Sequence, residues 1–374
     1  MGYDAIVIGG GAIGLAVARD LAPDHSILLL ERGLPGQQAS WAAAGMLCPH
    51  GEAPVDGPLF RLGLAGLDMY RGFVGDLLEE TGVDAEYLDD GTLVLASGDE
   101  EWADLRSRCR WQQAAGLGTS LMTPGEVRNL EPGLTLEVPG ALWCPADHQI
   151  RPRRLLEALR KSCALRGVGI VAGARVDEVC SFGNRVTGVR SGSLLYEAPR
   201  VVVAAGAWSG QIQGLVPDAE TRPRKGQILA LGMPRSCFRH VIRRGPYYLA
   251  PRRSGELVVG ATDEDSGFDR SLTVTGISRL LEAAQEMAAC SGRFRILETW
   301  AGLRPEIADG LPAIGHAAVE GLYYAFGHYR NGILHTPVTA RLLGNLVRGR
   351  ESAALDPAFS PMRFAGNRNT AGHV

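Results

Sequence analysis

The hydrophobic pattern at the start of the chain predicts a strand, a helix and a second strand. An apolar run over residues 3–8 stops at three consecutive glycines, and residues 12–21 then carry apolar side chains at helical spacing. A second apolar run covers residues 26–30 and ends at an acidic residue. Short apolar runs joined by a helical segment are typical of a βαβ unit. The chain therefore opens with the first unit of a parallel sheet.

Helical and strand patterns alternate along the rest of the chain. Further helices are predicted over residues 60–80, 100–115, 153–165, 277–289 and 337–347. Residues 123–126, Thr-Pro-Gly-Glu, have the form of a capping box with proline at the first helical position. Short strands are predicted over residues 169–171, 175–180, 185–191, 200–204, 227–231, 247–250, 256–261 and 322–326. This order predicts a chain of mixed α/β and α+β class with two interleaved domains.

The turn between the first strand and the first helix carries a glycine motif. Gly9 permits a tight turn, Gly11 lets the backbone approach a pyrophosphate, and Gly14 lets the helix pack closely on the strand. The helix N-terminus adds partial positive charge. Glu31 ends the second strand, where its carboxylate can accept hydrogen bonds from a ribose with a free 2′-hydroxyl. The motif in this setting predicts a site for FAD or NAD rather than NADP.

Composition and charge narrow the class of protein further. The 374 residues are 45% hydrophobic and 21% charged, and the net charge of −3 gives no indication of a nucleic-acid partner. No uninterrupted apolar stretch is long enough to span a membrane. The seven cysteines are scattered and never spaced as Cys-x-x-Cys, so neither a metal site nor a disulfide framework is expected. A reducing, cytoplasmic location fits this pattern best.

Three later segments favour a flat ring system as the ligand. Residues 40–46 are a run of small side chains, and an apolar strand ends in small residues over 201–209. Small side chains let a ring lie close to the backbone. Residues 327–334 contain an Asn-Gly turn signal before a predicted helix. Backbone N–H groups of this turn and the helix N-terminus could bind a flavin carbonyl, which favours FAD over NAD.

Five segments resemble those of one enzyme family. They are residues 7–14 (VIGGGAIG), 42–47 (AAAGML), 300–305 (WAGLRP), 309–315 (DGLPAIG) and 327–334 (GHYRNGIL). Their order resembles that of the D-amino acid oxidase and sarcosine oxidase superfamily of FAD-dependent enzymes. The last three segments resemble its glycine oxidase branch in particular.

The resemblance implies two domains. A Rossmann-like FAD-binding domain (GR2-type) is expected over residues 1–85, 149–222 and 300–356. A second domain, an antiparallel sheet with helices that would cover the flavin, is expected over residues 86–148 and 223–299. Residues 357–374 are expected to form a flexible tail. Relatives are often dimers or tetramers, but the sequence shows no interface.

The resemblance also implies that FAD is bound without a covalent bond, since no cysteine lies at a position linked to attachment. The residues expected to bind it are Gly9, Gly11, Ile13, Gly14, Glu31, Arg32, Ser40, Ala44, Gly45, Met46, Val176, Gly206, Trp208, His328, Tyr329, Arg330, Asn331, Gly332, Ile333 and Leu334. His328 is interpreted as a structural or flavin-contacting residue. Hydride transfer from an amine requires no enzymic base on the carbon.

Three residues are expected to hold the substrate. Family members bind the substrate carboxylate with arginine, and the matching positions are Arg304 and Arg330. A tyrosine that also donates to the carboxylate falls on Tyr248, with Tyr247 as the alternative. A guanidinium group matches a carboxylate with two parallel hydrogen bonds. Most other arginines are expected at the surface, including the pairs at 153–154, 243–244 and 252–253.

The expected reaction is oxidation of the C–N bond of glycine or an N-substituted glycine, with hydrolysis of the imine to glyoxylate and reduction of O2 to H2O2. The sequence departs from the family at Pro246, Asp263, His335 and residues 48–51. A glycine oxidase serving thiamine thiazole synthesis and an enzyme that cleaves a larger N-carboxymethyl amine both remain open. The alternative is a dehydrogenase of a small hydroxy or D-amino acid that passes electrons to another acceptor.

Overall fold

The computed structural model describes residues 2–135, 137–215, 221–234, 237–350 and 356–364. Its strands are, in chain order, β1 (Ala5–Ile8), β2 (Ile27–Glu31), β3 (Met46–Leu47), β4 (Thr92–Leu95), β5 (Ser120–Met122), β6 (Ala141–Cys144), β7 (His148–Gln149), β8 (Gly169–Ala172), β9 (Glu178–Phe182), β10 (Arg185–Ser191), β11 (Leu194–Glu197), β12 (Val201–Val203), β13 (Thr221–Gly232), β14 (Val241–Arg244), β15 (Tyr247–Pro251), β16 (Glu256–Gly260), β17 (Arg295–Ile307), β18 (Ala313–His316) and β19 (Leu322–Phe326). Its helices are α1 (Ala12–Leu21), α2 (Ala39–Ala42), α3 (Pro49–Glu52), α4 (Pro58–Thr81), α5 (Asp99–Ala114), α6 (Pro124–Leu130), α7 (Pro152–Leu165), α8 (Val274–Met287) and α9 (Thr336–Val347). Short 3-10 helices cover Gly206–Gln211, Ala289–Arg293, Pro357–Phe359 and Pro361–Phe364.

The helices predicted from periodicity are all present, with small shifts at their ends. The capping box at the start of α6 is confirmed, since the Thr123 hydroxyl accepts from the Glu126 N–H and the Glu126 carboxylate accepts from the Thr123 N–H. The longest helix, α4, ends at Gly82, whose left-handed backbone (φ 70°) favours glycine. Among the helices of the described part of the chain, none has the length and apolar character to cross a membrane.

The predicted βαβ unit is confirmed and lies at the centre of a six-stranded sheet. The strand order is β18-β19-β12-β1-β2-β8, and all neighbours are parallel except β18 and β19. α1 connects β1 to β2 and packs against α7 and α9. Every residue of β1, β2 and β12 is buried, since apolar clusters cover both faces. Burial on both faces explains why these strands are continuous apolar runs.

A second sheet of eight strands has the order β17-β13-β16-β15-β14-β4-β6-β5. All of its pairs are antiparallel except β14 and β4. The expected antiparallel sheet is therefore confirmed, with one parallel pair inside it. β4 and β14 come from separate stretches of chain, so no hairpin turn sets their relative direction. A three-stranded sheet, β11-β10-β9, and the pair β3-β7 complete the strands.

The pairing of β13 with β17 extends from Thr221 opposite Ile307 to Gly232 opposite Arg295. The sequence does not predict β17, because glycine and proline interrupt its pattern. β17 lies at the edge of the sheet, so the missing N–H of Pro305 removes no hydrogen bond between inner strands. This strand crosses residue 300, where we placed a domain boundary. The division into two domains stays a prediction.

Residues 356–364 pack against the body of the protein. Phe359 is 2% exposed and belongs to the core cluster around the six-stranded sheet. Arg363 Nε donates to Asp309 Oδ2 at 2.7 Å. Phe359 thus has a buried place that local sequence does not reveal, and the flexible tail over residues 357–374 stays a prediction. Residues 365–374 lie outside the described residues.

Replacing Phe359 by alanine tests this packing. Loss of a buried phenyl group should lower the free energy of unfolding by about 3–5 kcal/mol, measured by chemical denaturation. Met362→Ala is the matched control, because Met362 is 47% exposed and its truncation should change stability by less than about 0.5 kcal/mol. Equal, small effects of the two substitutions would contradict the packed segment.

Candidate active site

One cavity is lined by residues from both large sheets. The six-stranded sheet contributes residues at the carboxyl ends of its parallel strands, such as Ile8, Glu31 and Ala204. The eight-stranded sheet contributes Tyr248 and Arg304 from one face. Ligands of open parallel sheets bind at the carboxyl ends of the strands. The position of the cavity is therefore that of a nucleotide site extended toward a second sheet.

The three glycines of the motif have different physical roles. Gly9 has a left-handed backbone (φ 106°), and a Cβ there would collide with the Ala204 carbonyl. A Cβ on Gly14 would collide with the Gly9 carbonyl, so this glycine allows α1 to pack against the turn. A Cβ on Gly11 would meet only the Ser40 hydroxyl at 3.3 Å, and Gly11 lines the cavity. Two of the glycines therefore serve the fold, and the third leaves room for a ligand.

The carboxylate of Glu31 holds the loop in shape. Its two oxygens accept from the N–H groups of Gly10 at 2.7 Å and Gly33 at 2.9 Å, and the residue is 6% exposed. The Ser40 hydroxyl accepts from the Ala12 N–H at 3.0 Å, in the first turn of α1. Because each carboxylate oxygen has a second lone pair, Glu31 can still accept from a ribose.

Most of the residues predicted to bind the cofactor line this cavity. They are Gly9, Gly11, Ile13, Glu31, Arg32, Ser40, Ala44, Gly45, Met46, Val176, Gly206, Trp208, His328, Tyr329, Arg330, Gly332 and Ile333. Gly14, Asn331 and Leu334 do not line it. Leu334 is 3% exposed in the core, and Asn331 makes backbone hydrogen bonds with His328 and His335. These three residues therefore contribute to the site through packing and backbone hydrogen bonds, and they do not line the cavity.

The small-residue run packs directly on the eight-stranded sheet. A Cβ on Gly302 of β17 would collide with the methyl group of Ala42, and Trp300 Nε1 donates to the Ala42 carbonyl at 2.9 Å. Arg252 donates to the Ala44 carbonyl and, at 2.8 Å, to Gln149 Oε1. The prediction that Arg252 lies at the surface is wrong, since it is 6% exposed. It fixes the backbone of the run instead.

Stacked side chains occupy the end of the cavity near β2. The Arg32 guanidinium lies over the Trp208 ring, 4.6 Å from its centroid, and both residues line the cavity. Gly206, at the start of the 3-10 helix that carries Trp208, has a left-handed backbone (φ 56°) with open space beside it. The flat faces at this end suit a nucleotide base or ribose.

Arg304 and Tyr248 both line the other end of the cavity. The Arg304 guanidinium lies against the backbone of Gly226, where a Cβ would come within 2.7 Å of its central carbon. Its Nη1 donates to the Thr262 carbonyl at 3.1 Å. Tyr248 is 8% exposed and its ring lies against Gly260, which has no side chain to displace it. Burial raises the pKa of Tyr248 to about 12, so its hydroxyl stays a neutral donor.

Arg330 lies at the same end but is paired with a protein carboxylate. Its Nη2 donates to Asp263 Oδ2 at 2.7 Å. The neighbouring Tyr329 has a left-handed backbone (φ 46°), and its N–H donates to the Pro305 carbonyl at 2.9 Å. This bond attaches the 327–334 turn to β17 and places Arg330 beside Arg304. The turn that the sequence predicts thus begins at residues 329–330, before Asn331.

One histidine lies in the 327–334 turn and a second directly follows it. His328 lines the cavity and shares a hydrogen bond of 3.0 Å between Nε2 and the Thr339 hydroxyl. Burial lowers the pKa of His328 to about 3, so the ring is neutral near pH 7. His335 is fully buried with its ring centroid 5.8 Å from that of His328, and it does not line the cavity.

Among the positions where the sequence departs from the family, Pro246 and Asp263 line the cavity.

Near Tyr248, sequence reasoning missed two charged residues of the cavity. Arg243 and Glu52 both line the cavity and form an ion pair. Arg243 lies directly opposite Tyr248 across β14 and β15, so its side chain shares the cavity face. The prediction of Arg243 at the surface is therefore wrong. A strand prediction for residues 241–244 would have revealed this register. Arg153, also expected at the surface, lies over the Trp41 ring and pairs with Glu298 at 2.7 Å.

The glycine loop at the carboxyl ends of a parallel sheet is the arrangement of a dinucleotide-binding oxidoreductase. A family model described as FAD dependent oxidoreductase matches residues 4–346. The chain belongs to this family, and FAD is its cofactor. The residues fit that group, because the space at Gly11 and the acid on β2 lie where its pyrophosphate and ribose would bind.

Named relatives agree with the family. The chain is 32% identical over 370 residues to the glycine oxidase of Geobacillus kaustophilus, covering 97% of this chain and 98% of that protein. The crystal structure of glycine oxidase from Geobacillus kaustophilus matches with a TM-score of 0.91 at 31% identity, over 96% of this chain and 98% of that one. The chain is 34% identical to the bifunctional protein ThiO/ThiG of Synechocystis, covering 98% of this chain but only 55% of that longer protein.

The different roles of the glycines can be separated by alanine substitution. Gly11→Ala should leave the stability of the FAD-free protein unchanged but weaken FAD binding at least about tenfold, because the new methyl group enters the cavity. Gly14→Ala should instead lower the stability of the FAD-free protein, since its methyl group meets backbone. Flavin fluorescence titration and thermal unfolding give the two quantities. Gly125→Ala, in open space on α6, is the control. Wild-type FAD affinity in Gly11→Ala would disprove this assignment.

Proposed function

We propose that the chain is a glycine oxidase-like amine oxidase. The C–N bond of glycine or an N-substituted glycine is oxidised to an imine, water hydrolyses the imine to glyoxylate and the amine, and O2 is reduced to H2O2. The observation that carries the proposal is that Arg304 and Tyr248 line the same cavity as the glycine motif. A carboxylate anchor and a flavin-binding loop in one cavity are the two requirements of an amino acid oxidase.

Arg304 is the principal anchor of the substrate carboxylate in this proposal. Among the described residues its nearest carboxylate, that of Asp263, is 4.0 Å away, and its Nη1 donates to the Thr262 carbonyl. The guanidinium therefore keeps donors for a ligand. Tyr248 adds a neutral hydroxyl donor next to it. A carboxylate held by two fixed groups limits the positions that the neighbouring carbon can take.

Bound FAD would accept the hydride and return the electrons to oxygen. The protein's part is to bind the carboxylate, orient the carbon and exclude water. The neutral state of His328 near pH 7 does not support a role as a fixed positive charge, which fits a structural or flavin-contacting role. The substrate nitrogen must be unprotonated to lose a hydride, and the small side chains of the 42–46 run leave the ring accessible.

The identity of the N-substituent stays open between glycine itself and a larger N-carboxymethyl amine. The Arg243–Glu52 pair adds polar groups to this end of the cavity, whereas Pro246 adds an apolar surface, so the lining favours neither choice. A role in thiamine biosynthesis, a cytoplasmic location and self-association are also proposals, prompted by the resemblance to glycine oxidases.

Flavin bleaching without oxygen tests the proposed reaction. Glycine, sarcosine, D-alanine and two bulky N-carboxymethyl amines are mixed anaerobically with the FAD-bound protein, and the visible flavin band is followed. Fast bleaching by glycine or sarcosine, followed by H2O2 formation in air, is the expected result. Fast bleaching only by a bulky member would move the substrate to that class. No bleaching by any member would end the proposal, and bleaching without H2O2 in air would indicate another electron acceptor.

Replacing Arg304 by glutamine tests the carboxylate anchor. Charge-assisted hydrogen bonds contribute about 1.5–3 kcal/mol, so KM for the best substrate should rise about 10- to 100-fold. Steady-state kinetics give KM and kcat, and flavin content confirms an intact cofactor site. Arg279→Gln, on the exposed face of α8, removes the same charge far from the cavity and should change neither constant. An unchanged KM in Arg304→Gln would rule out this role.

A further inference from the structure

Asp263 introduces a negative charge where the substrate carboxylate is expected to bind. It follows the end of β16 and lines the cavity beside Arg304 and Arg330. Its side chain is 26% exposed, so it faces the cavity rather than bulk water. The Asp263 carboxylate is therefore the same chemical group as the substrate carboxylate that the arginines would bind.

The Asp263 carboxylate is held by three donors from two parts of the chain. Oδ2 accepts from Arg330 Nη2 and from the Tyr329 hydroxyl, each at 2.7 Å, and Oδ1 accepts from Arg224 Nε at 3.0 Å. Burial opposes its ionisation, but the hydrogen bonds of Tyr329 and Arg330 and the charge of Arg304 outweigh it and lower the pKa of Asp263. Asp263 is therefore a fixed anion that already occupies one side of Arg330.

Among the described residues at this end of the cavity, one positive charge lacks a close ion pair. The charged lining residues here are Arg243, Arg304, Arg330, Glu52 and Asp263. Arg243 is paired with Glu52, and Arg330 is paired with Asp263. Arg304 remains, with no carboxylate of the described residues closer than 4.0 Å. One substrate carboxylate balances this charge, and a second would be in excess.

We propose that Asp263 is a specificity-determining residue that competes with the substrate carboxylate for Arg330. Arg304 and Tyr248 then bind the one carboxylate of the substrate, and an amine whose N-substituent carries a second carboxylate is disfavoured by repulsion from Asp263. The substrate class is a glycine with an uncharged nitrogen substituent or none. This inference rests on the proposed function, because it concerns the same site.

Asp263→Asn tests the proposal, since it removes the charge and keeps the shape. Acetate, a minimal carboxylate, is titrated into the FAD-bound protein at fixed pH and salt, with calorimetry and the flavin spectrum as readouts. The dissociation constant of acetate should fall about tenfold. The ratio of kcat/KM for iminodiacetate to that for glycine should rise by a similar factor. Asp265→Asn is the matched control, because Asp265 is 81% exposed and 3.9 Å from the same Arg224.

The outcomes separate the possibilities. Unchanged or weaker acetate binding in Asp263→Asn would overturn the proposal, since Asp263 would then only hold Arg330 in place. An equal gain in Asp265→Asn would also overturn it, because the effect would be one of general charge. Asp263→Ser, with the same expectation, is used if Asp263→Asn fails to fold or to bind FAD. Because acetate binding needs no turnover, it still decides the role of Asp263 if no amine is oxidised and the proposed function fails.

Discussion

Close approach of backbone segments around the cavity is the constraint on which its shape depends. The methyl group of Ala42 fills the space that a side chain on Gly302 would need, and Gly45 lies against the Ile150 carbonyl in the same way. Gly9 meets the Ala204 carbonyl at the other side. Any larger side chain at these contacts would push the segments apart. The small residues are thus needed for this close packing as well as for a flat ligand.

Hydrogen bonds stabilise this close packing, because backbone carbonyls at a buried contact need donors. Trp300 supplies one donor to the Ala42 carbonyl, and the buried Arg252 supplies others to the Ala44 and Ile150 carbonyls. Burial lowers the pKa of Arg252 to about 10, but the side chain remains charged near neutral pH. An arginine that serves the backbone in this way would leave several unsatisfied carbonyls if it were removed.

The same packing orders the charges at the substrate end. Gly226 provides a flat surface for the Arg304 guanidinium, and the hydrogen bond from Tyr329 to Pro305 brings the 327–334 turn to the edge of β17. Arg304 and Arg330 therefore face one space although different elements carry them. Asp263 reaches the same space from the end of β16. The balance of charge in the cavity follows from sheet register and from one turn.

The sequence by itself determined the longer helices, the central parallel strands and the glycine loop. Apolar periodicity predicted the helices and the central parallel strands, and the spacing of Gly9, Gly11 and Gly14 located the loop, because these features depend on residues close together in the chain. Only the tertiary structure decided which charges meet. Arg330 pairs with Asp263 67 positions away, and Arg243 pairs with Glu52 191 positions away. Such pairs depend on strand order and register, which local pattern does not encode, so Arg243 lines the cavity although the sequence indicated a surface residue.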